Sequence, residues 1–326
     1  MTPGSPTEPV RRRRSTAHHA AVLVGGAVFV MWAVATLTFF AIRLIPGDPA
    51  QAILGGPGSQ ASQEALDLVR EEYGLDQPLV VQYLAMLGRL LTGDLGSSYA
   101  LRVPVADLLA AQVGGTLLLA VLSLALAWVL ALGLALWSTG RGRIAAAVGE
   151  GVELTAAALP HFWLAGVLIA VFSSGLGWLP PVATGTPAGL VLPVVTLAVP
   201  LAGFLAQVMR ESLLDALEQP FVVSARARGE STAGVRLRHT IRHAALPGIS
   251  LSGWALGWLL SGAVVVETIF AMPGLGRTLL QAVTLRDIPV VVGVVLFVAL
   301  VYVVMTVVTD LVARVADPRL RQEGAR

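Results

Sequence analysis

The sequence predicts an all-α, polytopic integral membrane protein with six transmembrane helices and one folded loop between the first two. Of the 326 residues, 56% are hydrophobic and only 13% are charged. The mean hydropathy is +0.77. A chain this apolar could not cover its surface with polar residues at this length. Because lipid offers the backbone no hydrogen-bond partner, we expect every span to be a helix.

Six segments have the roughly 20 apolar residues that a helix needs to cross a bilayer. We predict spans at residues 20–42, 113–137, 154–174, 188–209, 246–266 and 288–309. The first span resembles a signal peptide because Arg11–Arg14 precede it. Its uncharged stretch is too long for a signal peptide, and Phe39 and Phe40 make a poor cleavage site. We therefore predict a retained membrane anchor.

The placement of arginines predicts which side of the membrane each connecting segment occupies. If the N-terminus is cytoplasmic, the inside segments are residues 1–19, 138–153, 210–245 and 310–326, and they hold most of the 22 basic side chains. The outside segments are residues 43–112, 175–187 and 267–287. These hold only Arg43, Arg70, Arg89, Arg102, Arg277 and Arg286. Both termini are therefore predicted to be cytoplasmic.

The outside segment 43–112 is the only predicted loop long enough to fold locally. One helix should begin after Ser62, which can cap it, and should stop at Gly74. A second should begin at Pro78 and end near Gly93. The acidic residues of this loop outnumber its arginines, as is usual for a solvated cap, and they predict no ligand site.

The composition also excludes several kinds of chemistry. The chain has no cysteine, so it can form neither a disulfide nor a thiolate metal site. All 22 basic side chains are arginine, so a P-loop lysine is impossible and any ATP must be hydrolysed by another chain. A net charge of +2 gives no reason to expect nucleic acid. We predict that the protein is not an enzyme and binds no cofactor itself.

The cytoplasmic segment 210–245 contains the most basic stretch between two spans, "SARARGESTAGVRLRHTIRHAALPG", at residues 224–248. Its pattern predicts a short helix before Gly229 and a second helix capped by Ser231. One interpretation is that its arginines only fix topology. Topology alone would require neither a glycine at a fixed place nor paired helix signals, so we favour a docking element.

The run "SARARG", followed at a fixed distance by "LP", resembles the EAA loop of ABC importer permeases, which docks into a groove of a cytoplasmic ATPase. The long spacing is similar to that of the peptide and nickel branch. By this resemblance the ATPase-coupling residues are Val223, Ser224, Ala225, Arg226, Ala227, Arg228, Gly229, Leu246 and Pro247. The family's eponymous acid is absent, because its place falls on Val223.

The resemblance extends over most of the chain. The stretches "LIPGDPAQAILG" at 44–55, "YGLDQPLVVQYLAMLGRLLTGDLGSSY" at 73–99, "VETIFAMPGLGRTLLQAV" at 266–283, "RDIPVVVG" at 286–293 and "DPRL" at 317–320 all resemble the first permease subunit of oligopeptide or dipeptide importers. The resemblance implies an ABC type I importer permease fold, in a bacterial inner membrane.

The same resemblance implies a set of partners: a homologous second permease, two ATPases that bind ATP and Mg, and an extracytoplasmic protein that delivers a peptide substrate. A nickel importer permease shares these motifs and is an alternative. A proton-coupled secondary transporter is a more remote one, since it should carry titratable groups in mid-span.

A few residues are candidates for the transport pathway or for the contact with the second permease. Gly253, Gly257 and Ser261 form a small-residue stripe on span five, which suits close helix packing within this subunit or with a partner. Glu267, like Glu153 and Asp310, falls at a predicted span end, where a carboxylate should reach water. We consider a substrate contact for Glu267 a minority interpretation.

The histidines give weaker predictions. His161 follows Pro160 in span three and is either a gate or proton group or a hydrogen-bonded structural residue. His239 and His243 have the spacing of a metal pair, but no carboxylate lies near enough to complete a site. We predict no metal.

Overall fold

The computed structural model describes residues 16–44, 46–55, 60–140 and 142–316. This part of the chain folds into α-helices without a β-strand. Residues 1–15 of the predicted tail 1–19 and residues 317–326 of the predicted tail 310–326 lie outside the described residues, as do the side chains of His239, His243 and Asp310. The helices, numbered in chain order, are α1 (Thr16–Arg43), α2 (Pro49–Ile53), α3 (Gln63–Glu72), α4 (Leu79–Leu91), α5 (Val105–Gly140), α6 (Gly142–Ala158), α7 (His161–Leu168), α8 (Pro187–Leu217), α9 (Pro220–Ala227), α10 (Thr232–Val235), α11 (Ile241–Ile269), α12 (Leu275–Thr284) and α13 (Ile288–Ala316).

Within the described ranges, five helices are long and apolar enough to cross a membrane: α1, α5, α8, α11 and α13. A sixth span is possible if α6 and α7, which meet at an angle of 103°, are counted together. The all-α, multi-span fold class is confirmed, and the predicted number of six is reached only when this bent pair is counted as one span. A single straight helix at 154–174 is wrong, because Pro160 lacks an N–H and disfavours helical geometry in the residue before it.

Helix α8 is the centre of the bundle. Its buried residues include Leu197, Leu201 and Leu205, and they pack with buried residues of α5, α7 and α11 in the main core. Pro193 and Pro200 lie inside this helix, which is tolerated where neighbouring helices surround it. By contrast α1 lies at the periphery, and most of its apolar side chains face outward, where lipid would surround them.

Several helices extend beyond the predicted spans. Helix α5 begins at Val105 rather than 113, α8 continues to Leu217 rather than 209, and α11 begins at Ile241 rather than 246. Hydropathy detects only the part of a helix that is apolar enough to lie in lipid, so it misses polar helical ends. The inside segment 210–245 is consequently much shorter as a loop than predicted.

The loop domain, residues 46–104, has the two predicted helices. Ser62 caps α3 by accepting a hydrogen bond from the Ala65 N–H, and Gly74 stops it with a φ of +61°. Asp48 caps the short helix α2 and also pairs with Arg70 at 2.5 Å. The domain is tied to the start of α13 by Asp287, which accepts hydrogen bonds from Ser98 and from two backbone N–H groups.

Candidate functional site

The segment 220–240, which we call the knob, is built from two short helices that meet at Gly229. Pro220 occupies the first turn of α9, and the helix ends with Gly229 at a φ of +85°, a conformation that side chains with a β-carbon disfavour. Ser231 then caps α10 by accepting a hydrogen bond from the Gly234 N–H at 3.1 Å. The two helices and their cap agree with the sequence prediction.

The knob has a small apolar core of its own. Val222 and Ala225 of α9 pack against Val235 of α10, and all three are buried. Arg236 donates a hydrogen bond to the backbone oxygen of Thr139, at the end of α5, at 2.7 Å. These contacts hold the knob as a compact projection at the end of the bundle.

The second knob helix does not end before span five, although the sequence prediction separates the segment 210–245 from the span at 246–266. It continues through a π-helical turn, Arg236–Thr240, directly into α11. Leu246 and Pro247 are therefore helical and only half-buried, well inside α11, instead of marking its start. The physical consequence is that the knob and the spanning part of α11 form one continuous helical rod.

Most of the predicted coupling residues are exposed on the knob. Val223, which stands at the place of the family's acid, is 68% exposed. The other exposed members are Ser224, Arg226, Ala227, Arg228 and Gly229. Ala225 is different, because it is buried in the core of the knob and can make no outside contact.

The small-residue stripe on α11 is brought against α13 of the same chain. A β-carbon added at Gly253 would lie 2.7 Å from the Thr309 hydroxyl, and one added at Gly257 would lie 2.8 Å from the ring of Tyr302. Both glycines therefore allow close helix packing within this subunit. Ser261 is exposed and remains available to a partner.

Glu267 does not reach water, contrary to the sequence prediction, and it is fully buried. Its carboxylate accepts hydrogen bonds from the Thr116 hydroxyl of α5 at 2.6 Å and from the Arg277 N–H of α12 at 3.0 Å. Thr116 in turn accepts from the Leu275 N–H at 2.8 Å. Glu267 thus fastens the first turn of α12 to α5, because unpaired N–H groups at a helix start attract an acceptor.

His161 begins α7, directly after the break at Pro160. Its ring centroid lies 4.7 Å from that of Trp258 in α11, and its Nε2 is buried without a hydrogen-bond partner in the described structure. Trp258 continues into a row of aromatic rings with Trp254 and then Phe204 of α8. His161 is therefore packed against aromatic rings at the bend.

A metal site is not formed by the described residues, among which no cluster of three histidine or acidic side chains is found. His239 and His243 have the sequence spacing of a metal-binding pair, but their side chains lie outside the part of the structure that is described.

Two family models match the chain. Residues 127–322 match the binding-protein-dependent transport system inner membrane component, which is more than half of the sequence. Residues 22–120 match the N-terminal domain of the same kind of membrane component. The chain belongs to this family of ABC importer permeases.

Relatives of the permease are similar over nearly their whole length. A peptide transport system permease protein of Brucella abortus is 37% identical over 92% of this chain and 98% of its own. A glutathione transport system permease protein of Salmonella choleraesuis is 36% identical over 91% of this chain and 96% of its own. A solved MetNI methionine ABC transporter, in an inward-facing conformation, superposes with a TM-score of 0.53 at 19% identity and covers 64% of this chain and 96% of its own. That structural likeness confirms the fold of an ABC importer permease.

The permease also holds an ion pair that sequence reasoning missed. Glu153 of α6 is fully buried and accepts a hydrogen bond from Arg210 of α8 at 2.8 Å. Glu150 lies 4.0 Å from the same guanidinium, but it is exposed. Sequence placed Glu153 and Arg210 at separate span ends, and the only available signal was their opposite charge on segments that a bundle brings together.

Proposed function

We propose that this permease is one of two membrane subunits of an ATP-driven importer of peptides, and that the knob at residues 220–240 connects it to a cytoplasmic ATPase. The relatives named as peptide and glutathione permeases support the substrate class. The observation that carries the coupling role is the continuity of the knob with α11. A displacement of the knob by the ATPase would be transmitted along this continuous helix into the core of the bundle.

The knob has the physical properties of a docking element. It is compact because its own apolar core and the Arg236 contact hold it, and it presents exposed Val223, Ser224 and Arg226 from one short helix. An apolar side chain in the place of the family's acid favours an apolar pocket on the ATPase over a charge contact. Arg226 and Arg228 would serve both docking and topology.

The proposed transport cycle assigns the chemistry to partners. Two ATPases bind ATP and Mg, a homologous second permease completes the pathway, and an extracytoplasmic binding protein delivers peptide. Closure of the ATPases around ATP would move the two knobs and reorient α7, α8 and α11. Such alternating access requires ATP and the loaded binding protein to favour different conformations of the permease.

The proposed orientation follows the arginines. The knob and both termini face the cytoplasm, and the loop domain faces outward in a bacterial inner membrane. Ser261, exposed on α11, is proposed to face the second permease. Gly253 and Gly257 support that contact indirectly by holding α11 against α13.

A substitution at Gly229 tests the coupling role. Gly229→Val should disfavour the φ of +85° by about 1–3 kcal/mol, whereas Gly229→Asn should be tolerated because asparagine adopts this conformation more readily. We expect the valine variant to lose ATPase co-purification and peptide uptake by about tenfold, and the asparagine variant to retain both.

The matched control is Gly177→Val, at an exposed turn with a φ of +65° outside the knob. It introduces similar strain and should leave coupling intact. Normal ATPase binding and uptake in Gly229→Val membranes would contradict the docking role. Measuring uptake of a labelled dipeptide, glutathione and Ni²⁺ side by side in the same vesicles distinguishes the peptide proposal from the nickel alternative.

A further inference from the structure

Helix α4 in the loop domain is apolar on both of its faces. Its inner face contributes Met86, with Tyr83, Leu87 and Leu90, to the cluster shared with α1 and α13. Its outer face exposes Val80 at 67% and Leu84 at 58%, together with Leu79, Val81 and Leu91. A solvated cap, as the sequence predicts for this domain, would place polar residues on that outer face. The only charged residue of the helix is Arg89.

Hydrogen bonds place α4 beside the membrane-spanning part of α1. The Tyr83 hydroxyl lies 2.8 Å from the hydroxyl of Thr36 and accepts a hydrogen bond from the Trp32 indole at 3.1 Å. At a rise of about 1.5 Å per residue, Thr36 and Trp32 are about 10 and 16 Å below Arg43, the last residue of α1. With Arg43 at the edge of a hydrocarbon core about 30 Å thick, both depths would lie inside it. The Tyr83 hydroxyl would then lie within the leaflet at the loop-domain end of the bundle.

A cavity of about 230 Å³ opens at the same end, between α1, α4 and the start of α13. Arg43, Arg89 and Asp94 are the charged groups that line it, with Tyr73 and Tyr99 beside them. Neither arginine takes part in an ion pair among the described residues. Arg43 lies over the Phe39 ring and donates to Gln82, but its Nη1 is buried without a partner. Asp94 accepts a hydrogen bond from the Gly96 N–H.

Neither guanidinium pairs with a carboxylate among the described residues, so both positive charges favour an anion at this end of the bundle. A guanidinium with free N–H groups matches the oxygens of a phosphate, and a buried donor without an acceptor is costly. Burial raises the pKa of Tyr99, although Arg89 and Arg43 oppose that shift, so its hydroxyl stays protonated and able to donate. The cavity lies at the ends of two spanning helices, where lipid headgroups are located.

We propose that α4 is an interfacial helix and that the permease binds a phospholipid beside it, with the headgroup phosphate on Arg43 and Arg89. The outer face of α4, through Val80 and Leu84, contacts the acyl chains of the same leaflet. Exposed Phe40, near the loop-domain end of α1, extends this apolar surface, as aromatic residues do near membrane interfaces. The lipid would fix the loop domain against α1.

The position of α4 is tested first, and the absence of native cysteines makes single-site labelling clean. The full-length chain carries a nitroxide at Val80→Cys or Leu84→Cys in nanodiscs of phosphatidylethanolamine and phosphatidylglycerol. Leu68→Cys on α3 is the matched control, because Leu68 is apolar and 62% exposed in the same domain. We expect collisions with a polar nickel complex to be about tenfold rarer on α4 than at Leu68, since hydrocarbon excludes polar solutes. Equal collision rates would overturn the interfacial position.

The headgroup site is tested by native mass spectrometry of the full-length chain extracted with its lipids. Arg43→Gln and Arg89→Gln should each lower the fraction of protein that retains phosphatidylglycerol by about tenfold, because each removes a charge-assisted contact. Arg102→Gln, an exposed arginine of the same loop domain, is the control and should retain it. Two variants are used because Arg43 also packs on Phe39 and its loss could disturb α1.

Two results would overturn the lipid site. One is equal phosphatidylglycerol retention in all three variants. The other is binding of inorganic phosphate by the delipidated protein, dependent on Arg43 and Arg89, with no phospholipid retained by the untreated protein; this would reveal a site for free anions. Neither readout involves uptake or ATPase binding, so the outcome is independent of the proposed transport function.

Discussion

The pair formed by Glu153 and Arg210 is the most deeply buried charge contact that the structure describes. Glu153 is 0% exposed and one of its oxygens has no hydrogen-bond partner, whereas the side chain of Arg210 is 16% exposed and has Glu150 nearby. Removing one member of a buried pair leaves the other uncompensated. The two members should therefore differ in how much the permease tolerates their loss.

We predict that Arg210→Met lowers the free energy of unfolding by about 3–5 kcal/mol, because it leaves the buried Glu153 carboxylate without a positively charged partner. Glu153→Gln should cost less, since its amide oxygen can still accept from Arg210 and Glu150 remains near the cation. The double variant Arg210→Met with Glu153→Leu should recover most of the loss. Thermal unfolding in detergent measures all three, and equal costs for the two single variants would contradict the asymmetry.

The glycines on α11 give a second prediction at this scale. Gly257→Ala would place its β-carbon 2.8 Å from the Tyr302 ring, so we expect a loss of about 1–3 kcal/mol from overpacking. Ser261→Ala on the same helix is the control and should change the stability of the subunit little, because Ser261 is exposed. Unfolding of both variants in detergent is the measurement. A larger loss at Ser261 than at Gly257 would show that the stripe packs elsewhere.

The roles of single residues were predicted correctly from sequence where those roles depend on residues that are close along the chain. Ser62, Ser231 and Gly229 were identified correctly, because caps and positive φ angles depend on a few neighbouring residues. Glu153 and Glu267 were assigned to water, and both are buried. Their partners come from helices that are distant in sequence, and hydropathy carries no information about which helices meet.

At the scale of elements, Glu267 and Thr116 join three helices, α5, α11 and α12. The sequence analysis placed this region in the outside segment 267–287, yet a helix starts there and its first N–H groups depend on these two side chains. Gly274 has no side chain because a β-carbon would lie 2.2 Å from the Glu267 carboxyl carbon. The first turn of α12 is therefore held by contacts that a single substitution can remove.

We predict that Glu267→Ala loosens α12 without unfolding the bundle. Each N–H left buried and unsatisfied costs about 1–3 kcal/mol, so amide hydrogen exchange in residues 275–284 should accelerate by about tenfold or more. Thr116→Val should have a similar, smaller effect, because it removes the hydroxyl that accepts from Leu275. Exchange in α3 serves as the internal control. Acceleration spread evenly over the chain would indicate global destabilisation and contradict the local role.

The bend between α6 and α7 shows why element boundaries were the weakest part of the prediction. Hydropathy merged the end of α6 with α7 into one span, because the residues on both sides of Pro160 are apolar. Proline indicated a break, but the angle of 103° depends on how α6 and α7 each pack against α8. The sequence around Pro160 therefore predicts that the helix breaks. The angle between α6 and α7 is determined by tertiary packing, which the local sequence does not specify.

At the scale of the whole molecule, the all-α membrane-spanning class and the family were predictable because both depend on properties summed over long stretches. Hydropathy integrates over about 20 residues, and the motif resemblance extended from the loop domain to the tail. The interfacial role proposed for α4 was not predictable, because a short apolar helix in a loop resembles any amphipathic helix of a small domain. The proposal depends on a tertiary observation, the contact of Tyr83 in α4 with Trp32 and Thr36 of α1.

The proposed orientation and energy source lead to a last prediction for the assembled importer. With no native cysteine, Val223→Cys on the knob and Leu68→Cys on the loop domain each report one side of the membrane. We expect a membrane-impermeant maleimide added to intact spheroplasts to label Leu68→Cys only, since the arginine distribution places the knob inside. Lysed membranes are the control, where both positions should react. Val223→Cys should become protected again when the ATPases are present, because the knob would be docked.

In vesicles that contain the assembled importer, peptide uptake should stop when the ATPases are inactivated and should persist when a proton ionophore is added in the presence of ATP. Labelling of Val223→Cys from outside would reverse the topology, and uptake that follows the proton gradient would favour a secondary transporter.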